Sequence, residues 1–140
     1  MFAVLDTNHF RELAENSGIA QRLKRRLGEQ DAEVFTCIVA VEETIQGWLA
    51  LLHRQRPGRT QLATYARLQL GLESLLKLPI LPLDADAAEV FHRLQTERIR
   101  IGTMDLKIAA ICIAHHATLL TRNLVDFEKV PGLRVENWLD

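Results

Sequence analysis

Phe2-Ala3-Val4-Leu5-Asp6-Thr7-Asn8 is an apolar run that breaks off at a carboxylate, a hydroxyl and an amide. A run with no alternating polar positions is what a strand covered on both faces requires. Its end at Asp6 marks where a parallel strand leaves the sheet and opens into a loop. Phe2–Leu5 is therefore predicted as a buried strand, with Asp6 on the sheet rim.

The rest of the chain repeats this unit. Val34–Ile38 reads as a second strand, after which Val41, Ile45, Trp48, Leu49 and Leu52 recur at helical spacing and place Glu43 in the first turns of a helix. Pro79-Ile80-Leu81-Pro82-Leu83 is extended, and its prolines confine it to the end of a strand. Thr118–Thr121 and Leu133–Glu136 complete the set before Trp138.

Between the strands lie helical patterns. His9–Glu15 and Ile19–Leu27 are separated by the break Asn16-Ser17-Gly18, and Gly28 is expected to stop the second. Pro57-Gly58 ends the Glu43 helix. Tyr65, Leu68, Leu72 and Leu75 then give a stripe over Thr60–Leu78, near a cluster of Arg54, Arg56, Arg59 and Arg67, which reads as a projecting helical hairpin. Ala87, Val90, Phe91 and Leu94 follow a cap at Asp84 or Asp86. After Gly102-Thr103, Met104–His116 is almost wholly apolar and must be buried; Asn123–Glu128 is a turn or short helix. This alternation predicts an α/β domain over residues 1–140, a mostly parallel central sheet flanked by helices, with its ligand site beyond the strands' C-terminal ends.

A chain of 140 residues suits one domain, and 48% apolar with 25% charged residues places it away from disordered sequences. The formal net charge of −1 neither advertises nor excludes nucleic acid. Cys37 and Cys112 stand in apolar surroundings without metal-type spacing and read as reduced core residues. The N-terminus lacks the basic and long apolar regions of a signal peptide, and the apolar run at Ile108–Ala114 is shorter than the roughly 20 residues a membrane span needs. A cytoplasmic protein with no membrane partner is expected.

Asp6, Glu43, Asp105 and Asp126 each follow a strand or open a helix, so the fold should gather them on one rim. Two carboxylates 4 Å apart repel by about 4 kcal/mol at an effective dielectric of 20, so such a cluster calls for cations or protons. Without Cys or His among the donors, Mg²⁺ suits the set and Mn²⁺ is the second choice. Acidic residues also collect at helix N-termini for capping and dipole reasons alone. Spacing by itself leaves both readings open. The adjacent His115-His116 reads as a helix end rather than a metal site, and Arg22, Lys24, Arg25 and Arg26 as a solvated face or a guide for RNA or an acidic partner.

Four segments, Leu5–Asn8 (LDTN), Glu43–Gly47 (ETIQG), Ile101–Ala110 (IGTMDLKIAA) and Leu119–Trp138 (LLTRNLVDFEKVPGLRVENW), together resemble the PIN-domain family, and within it the VapC-type toxins of toxin–antitoxin pairs. The resemblance implies a Mg²⁺-dependent endoribonuclease that stops translation by cutting tRNA or rRNA, a cognate antitoxin and a homodimer. It matches Asp6, Glu43 and Asp105 to the family's acidic positions, with Asp6 and Asp105 as metal ligands. Asp126 fills the fourth position, which Asn123 could complete instead. Thr7, Asn8, Thr121 and Arg122 would support the site or touch substrate. Val39 departs from the Thr or Ser of many relatives, and Glu42 turns away from the site because neighbouring helical residues point about 100° apart. Two other readings are a catalytically inactive PIN-like scaffold and an aspartate-nucleophile phosphatase; the latter's D-x-D motif is broken here by Asn8.

Overall fold

The computed structural model describes residues 1–14 and 17–140. Its strands are β1 (Phe2–Leu5), β2 (Glu33–Cys37), β3 (Ile80–Leu81), β4 (Thr118–Leu120) and β5 (Arg134–Glu136), in the order β3-β2-β1-β4-β5 with every pairing parallel. Ala3, Val4 and Leu5 are each 0% exposed, which is why β1 carries no polar alternation. Ala3 and Leu5 pack with Phe10, Leu23, Leu27 and Trp138, whereas Val4 packs with Cys37, Ala109 and Phe127. The sheet thus separates two apolar layers. Short Pro-bracketed β3 takes the edge, where the carbonyl of Pro79 accepts from the Thr36 amide at 3.0 Å.

The helices are α1 (Thr7–Ala14), α2 (Gly18–Glu29), α3 (Ile38–Arg54), α4 (Leu62–Leu75), α5 (Ala85–Thr96), α6 (Thr103–Ala114) and α7 (Leu124–Phe127), with a 3₁₀ turn at Arg59–Gln61 before α4. As its composition requires, α6 is deeply buried, with Leu106, Ile108, Ala109, Ala110, Ile111 and Cys112 inside. Cys37 and Cys112 are buried free thiols, and burial before all else raises both above the ordinary thiol range. Among the described residues no helix is long and apolar enough to cross a membrane.

Three local expectations need correction. First, α1 begins at Thr7, not His9. The Asp6 carbonyl accepts from the Phe10 amide at 2.9 Å, and an Asp6 carboxylate oxygen accepts from the Thr7 amide at 2.8 Å, so the strand turns into the helix with no intervening loop. Second, α2 runs through Gly28 to Glu29. A helical glycine costs only about 1 kcal/mol, and the buried Leu23 and Leu27 outweigh it. Ser17 caps this helix, its hydroxyl accepting from the Ala20 amide at 3.1 Å; Glu15 and Asn16 lie outside the described residues. Third, the α4 stripe is not a core stripe throughout: Leu75 is 3% exposed, but Tyr65 is 55% and Leu72 38% exposed.

The helical hairpin forms from α3 and α4. A Cβ at Gly71 would lie 2.1 Å from Cη2 of Trp48, so glycine is what lets α4 approach the indole. Asp84, rather than Asp86, caps α5 by accepting from the Ala87 amide at 2.9 Å.

Candidate active site

The order β3-β2-β1-β4-β5 reverses direction at β1: the chain builds outward to β2 and β3, then returns to place β4 and β5 on the other side. The chain leaves β1 and β4 on opposite sides of such a reversal, where parallel α/β sheets bind ligands. Asp6 and Thr121 are the first residues beyond those two strands. The Thr121 hydroxyl, fully buried, donates to the Asp6 carboxylate at 2.8 Å and accepts from the Asn123 amide at 3.1 Å. With the Thr7 amide on its other oxygen, Asp6 is locked in orientation from both strands.

Glu43 reaches the same rim from the second turn of α3. Burial, then the charges of Asp6, Asp105 and Glu42, push its carboxyl from an ordinary 4.5 up to about 7. Asp105, in the first turn of α6, is raised by burial and then by Asp6 and Asp126. A group shifts in this way only if the named charges lie close enough to be felt. Glu43 thus feels the charges of Asp6 and Asp105, and Asp105 those of Asp6 and Asp126. The four form an open arrangement: among the described residues no three of them make a closed ligand cage. Glu42 is exposed on the neighbouring direction of α3, and Val39, in the first turn of the same helix, is buried in the core.

Asn123 and Asp126, the two candidates for the fourth position, are hydrogen-bonded to each other. The Asn123 amide donates to Asp126 at 3.1 Å, and the Lys129 ammonium lies 3.3 Å from the other carboxylate oxygen. These two contacts hold Asp126 below the usual carboxylate range. Lys129 went unrecognised in the sequence, although its i,i+3 spacing from Asp126 is the available signal. Arg122 is half-exposed and 3.4 Å from the Asp140 carboxylate, so its nearest charge partner is internal. Asn8 is part-exposed on the first turn of α1.

Sequence reasoning also missed His9. It is fully buried, its Nε2 accepts from the Trp138 amide at 3.1 Å, and burial lowers it to about 4, so it stays neutral. Together with Arg26 stacked 4.5 Å over Trp138, it ties the last residues of the chain against α1 and α2. At least one member of the basic run on α2 is therefore engaged structurally. His115 lies 3.5 Å from Asp84, at the helix end where it was expected.

Two unpaired polar atoms point to the chemistry of the rim. Glu43 Oε1 and Thr7 Oγ1 are buried without a hydrogen-bond partner, which is costly unless a ligand supplies one. With an all-oxygen donor set, and with Glu43 and Asp105 raised by burial and then by neighbouring carboxylates, these residues fit a hard divalent cation.

A family model for the PIN domain matches residues 3–133. The chain belongs to the PIN-domain family. Among curated proteins it is 38% identical over 68 residues to Ribonuclease VapC2 of Rickettsia felis, covering 46% of this chain and 51% of that one. It is 33% identical over 66 residues to the tRNA(fMet)-specific endonuclease VapC of Salmonella typhimurium, covering 44% and 50%. The chain thus spans about half the length of these curated relatives. Among solved structures, VapBC2 from Rickettsia felis bound to a DNA fragment from their promoter matches with a TM-score of 0.74 over 99% of both chains at 24% identity, a likeness of fold. The α/β domain expected from the alternating strands and helices, and the PIN family implied by the resemblance of four segments, are both borne out.

Proposed function

We propose that this PIN domain is a divalent-metal-dependent endoribonuclease and the toxin of a toxin–antitoxin pair, acting on tRNA or rRNA in the cytoplasm. The observation that carries the reading is the rim itself: three carboxyls from β1, α3 and α6 within one another's field, with a buried Glu43 oxygen lacking any partner. The names of the VapC relatives support the activity, and the likeness to a VapBC assembly supports a protein partner.

In this reading Asp6 and Asp105 would hold the cation, Mg²⁺ first and Mn²⁺ second. When bound, the ion supplies Lewis-acid polarisation of a phosphodiester and acidifies water. Asp6 is held in orientation by the Thr7 amide and the Thr121 hydroxyl. Without a cation Glu43 is held at about 7, and its unpaired oxygen would be free to accept a hydrogen bond from a water beside the bound ion. Asp126 is clasped by Asn123 and Lys129 and adds negative field beside Asp105. Arg122, tethered to Asp140, would turn to a phosphate only by leaving that partner. A homodimer is supported by apolar residues left outside on α4, where Leu62 and Leu76 are 75% and 80% exposed.

Induced expression tests the toxin assignment. The intact chain is expected to halt growth and Asp105→Asn to be harmless, with mapped RNA ends identifying the cut transcript and co-expression of the cognate antitoxin restoring growth. Undisturbed growth with the intact chain present in soluble form would overturn it.

A further inference from the structure

A groove of about 420 Å³ runs between α1, α3 and α4, ending at Thr7 and Glu43 on the acidic rim. Phe10, Trp48 and Leu51, none of them exposed, give it an apolar floor, while Leu70, 64% exposed, and Arg11, Arg54 and Arg67, one from each helix, line it further out. Among the described residues Glu43 is the one acidic residue lining it. All three arginines are exposed, and none pairs with a carboxylate among the described residues. Cations from three elements around an apolar floor suit a strand that is polyanionic on one side and flat and apolar on the other. The orphaned Glu43 and Thr7 oxygens lie at the end where such a strand would meet the carboxylates.

We propose that this groove seats single-stranded RNA, with Arg11, Arg54 and Arg67 on successive phosphates and an unstacked base on the apolar floor, delivering the next phosphodiester to the rim. The inference rests on the nuclease reading but names the path of the substrate and the residues that set it. Double-stranded RNA would not follow it, because paired bases could not reach the floor.

The test is binding of a fluorescent ten-nucleotide oligouridylate to the purified full chain in EDTA, by anisotropy across a salt series. Arg11→Ala, Arg54→Ala and Arg67→Ala should each weaken binding by about five- to tenfold and lower the salt slope by about 0.7. Arg93→Ala, on α5 against the opposite face of the sheet, should change neither; circular dichroism checks the fold of each variant. If the three groove variants bind with wild-type affinity and slope, or the parent chain binds no oligouridylate, the assignment falls. It falls equally if RNA binding is unaffected but Arg54→Ala and Arg67→Ala abolish co-purification with a co-expressed antitoxin, which would make the groove a protein seat. Because cleavage is not read, a parent chain that binds through these arginines yet cuts nothing would overturn the nuclease reading alone. One that cuts RNA with groove variants of unchanged affinity would overturn the groove alone.

Discussion

If the proposed site is right, Asp6→Asn is expected to lower the rate of RNA cleavage by roughly 100-fold or more while the protein remains folded. The carboxylate is held by the Thr7 amide at 2.8 Å and the Thr121 hydroxyl at 2.8 Å, so an amide of nearly the same volume can keep its oxygen on the Thr7 N–H and turn its NH₂ toward Thr121. The hydrogen bonds survive in altered polarity, but the charge that would hold a cation is gone. Removing that charge also relieves Glu43 and Asp105, which both feel it. Without metal the variant should therefore melt at the same temperature as the parent or slightly above. Cleavage at wild-type rate in a purified assay would show that Asp6 is not in the site; loss of the folded melting transition would show that its role is structural.

The second large effect concerns Glu43. Glu43→Gln should be as impaired as Asp6→Asn, whereas Glu42→Gln should cleave at nearly the parent rate, because the two side chains leave α3 in different directions and Glu42 is exposed. A pH signature accompanies the loss. Glu43 has a folded value of about 7 against an ordinary 4.5, so between these the folded state binds more protons than the unfolded one. By linkage, metal-free stability falls as pH rises from about 4.5 through 7, and the penalty is complete above 7. Glu43→Gln removes that penalty, so in EDTA its urea midpoint should gain on the parent's between pH 5 and pH 8. Equal midpoint differences at both pH values, or a more damaging Glu42→Gln, would mean that the wrong glutamate has been assigned.

The parts of this site that sequence could reveal are those fixed by local periodicity. The run Phe2–Leu5 places Asp6 at a strand end, helical spacing lets only one of Glu42 and Glu43 face the rim, with the E-x-x-x-G spacing to Gly47 favouring Glu43, and the break at Gly102 puts Asp105 in the first turn of α6. What sequence left open depends on contacts between distant segments. The Thr121–Asp6 bond spans 115 positions, and nothing near either residue announces it beyond the placement of both after strands. Arg122 shares its rim with Asp140, a pairing that requires the chain to return past β5. The Asn123–Asp126 ambiguity was local but turned on side-chain direction in the short helix α7, where so few turns give no periodicity to read.

The helix ends misjudged in sequence show tertiary contact overriding local preference. Gly28 is a stop signal in isolation, yet buried Leu27 beside it and Leu23 a turn earlier carry α2 past it. Tyr65 and Leu72 look like core residues by spacing and stand outside, because α4 meets the rest of the fold mainly where Gly71 admits Trp48 and where Leu75 enters the core. The arginines of the groove were visible as a cluster about the α3–α4 junction, but their relation to Glu43 and to Arg11 on α1 appears only once the three helices are assembled.

The central claim is that these carboxylates act through a divalent cation on RNA. Its most direct test is cleavage of an end-labelled RNA by the purified chain in Mg²⁺, in excess EDTA, and after Mg²⁺ or Mn²⁺ is restored. Cutting that stops in chelator, returns with the metal and is absent throughout from Asp105→Asn is the predicted result. RNA cleavage that continues unchanged in EDTA, or that Asp105→Asn carries out at the parent's rate, would contradict it.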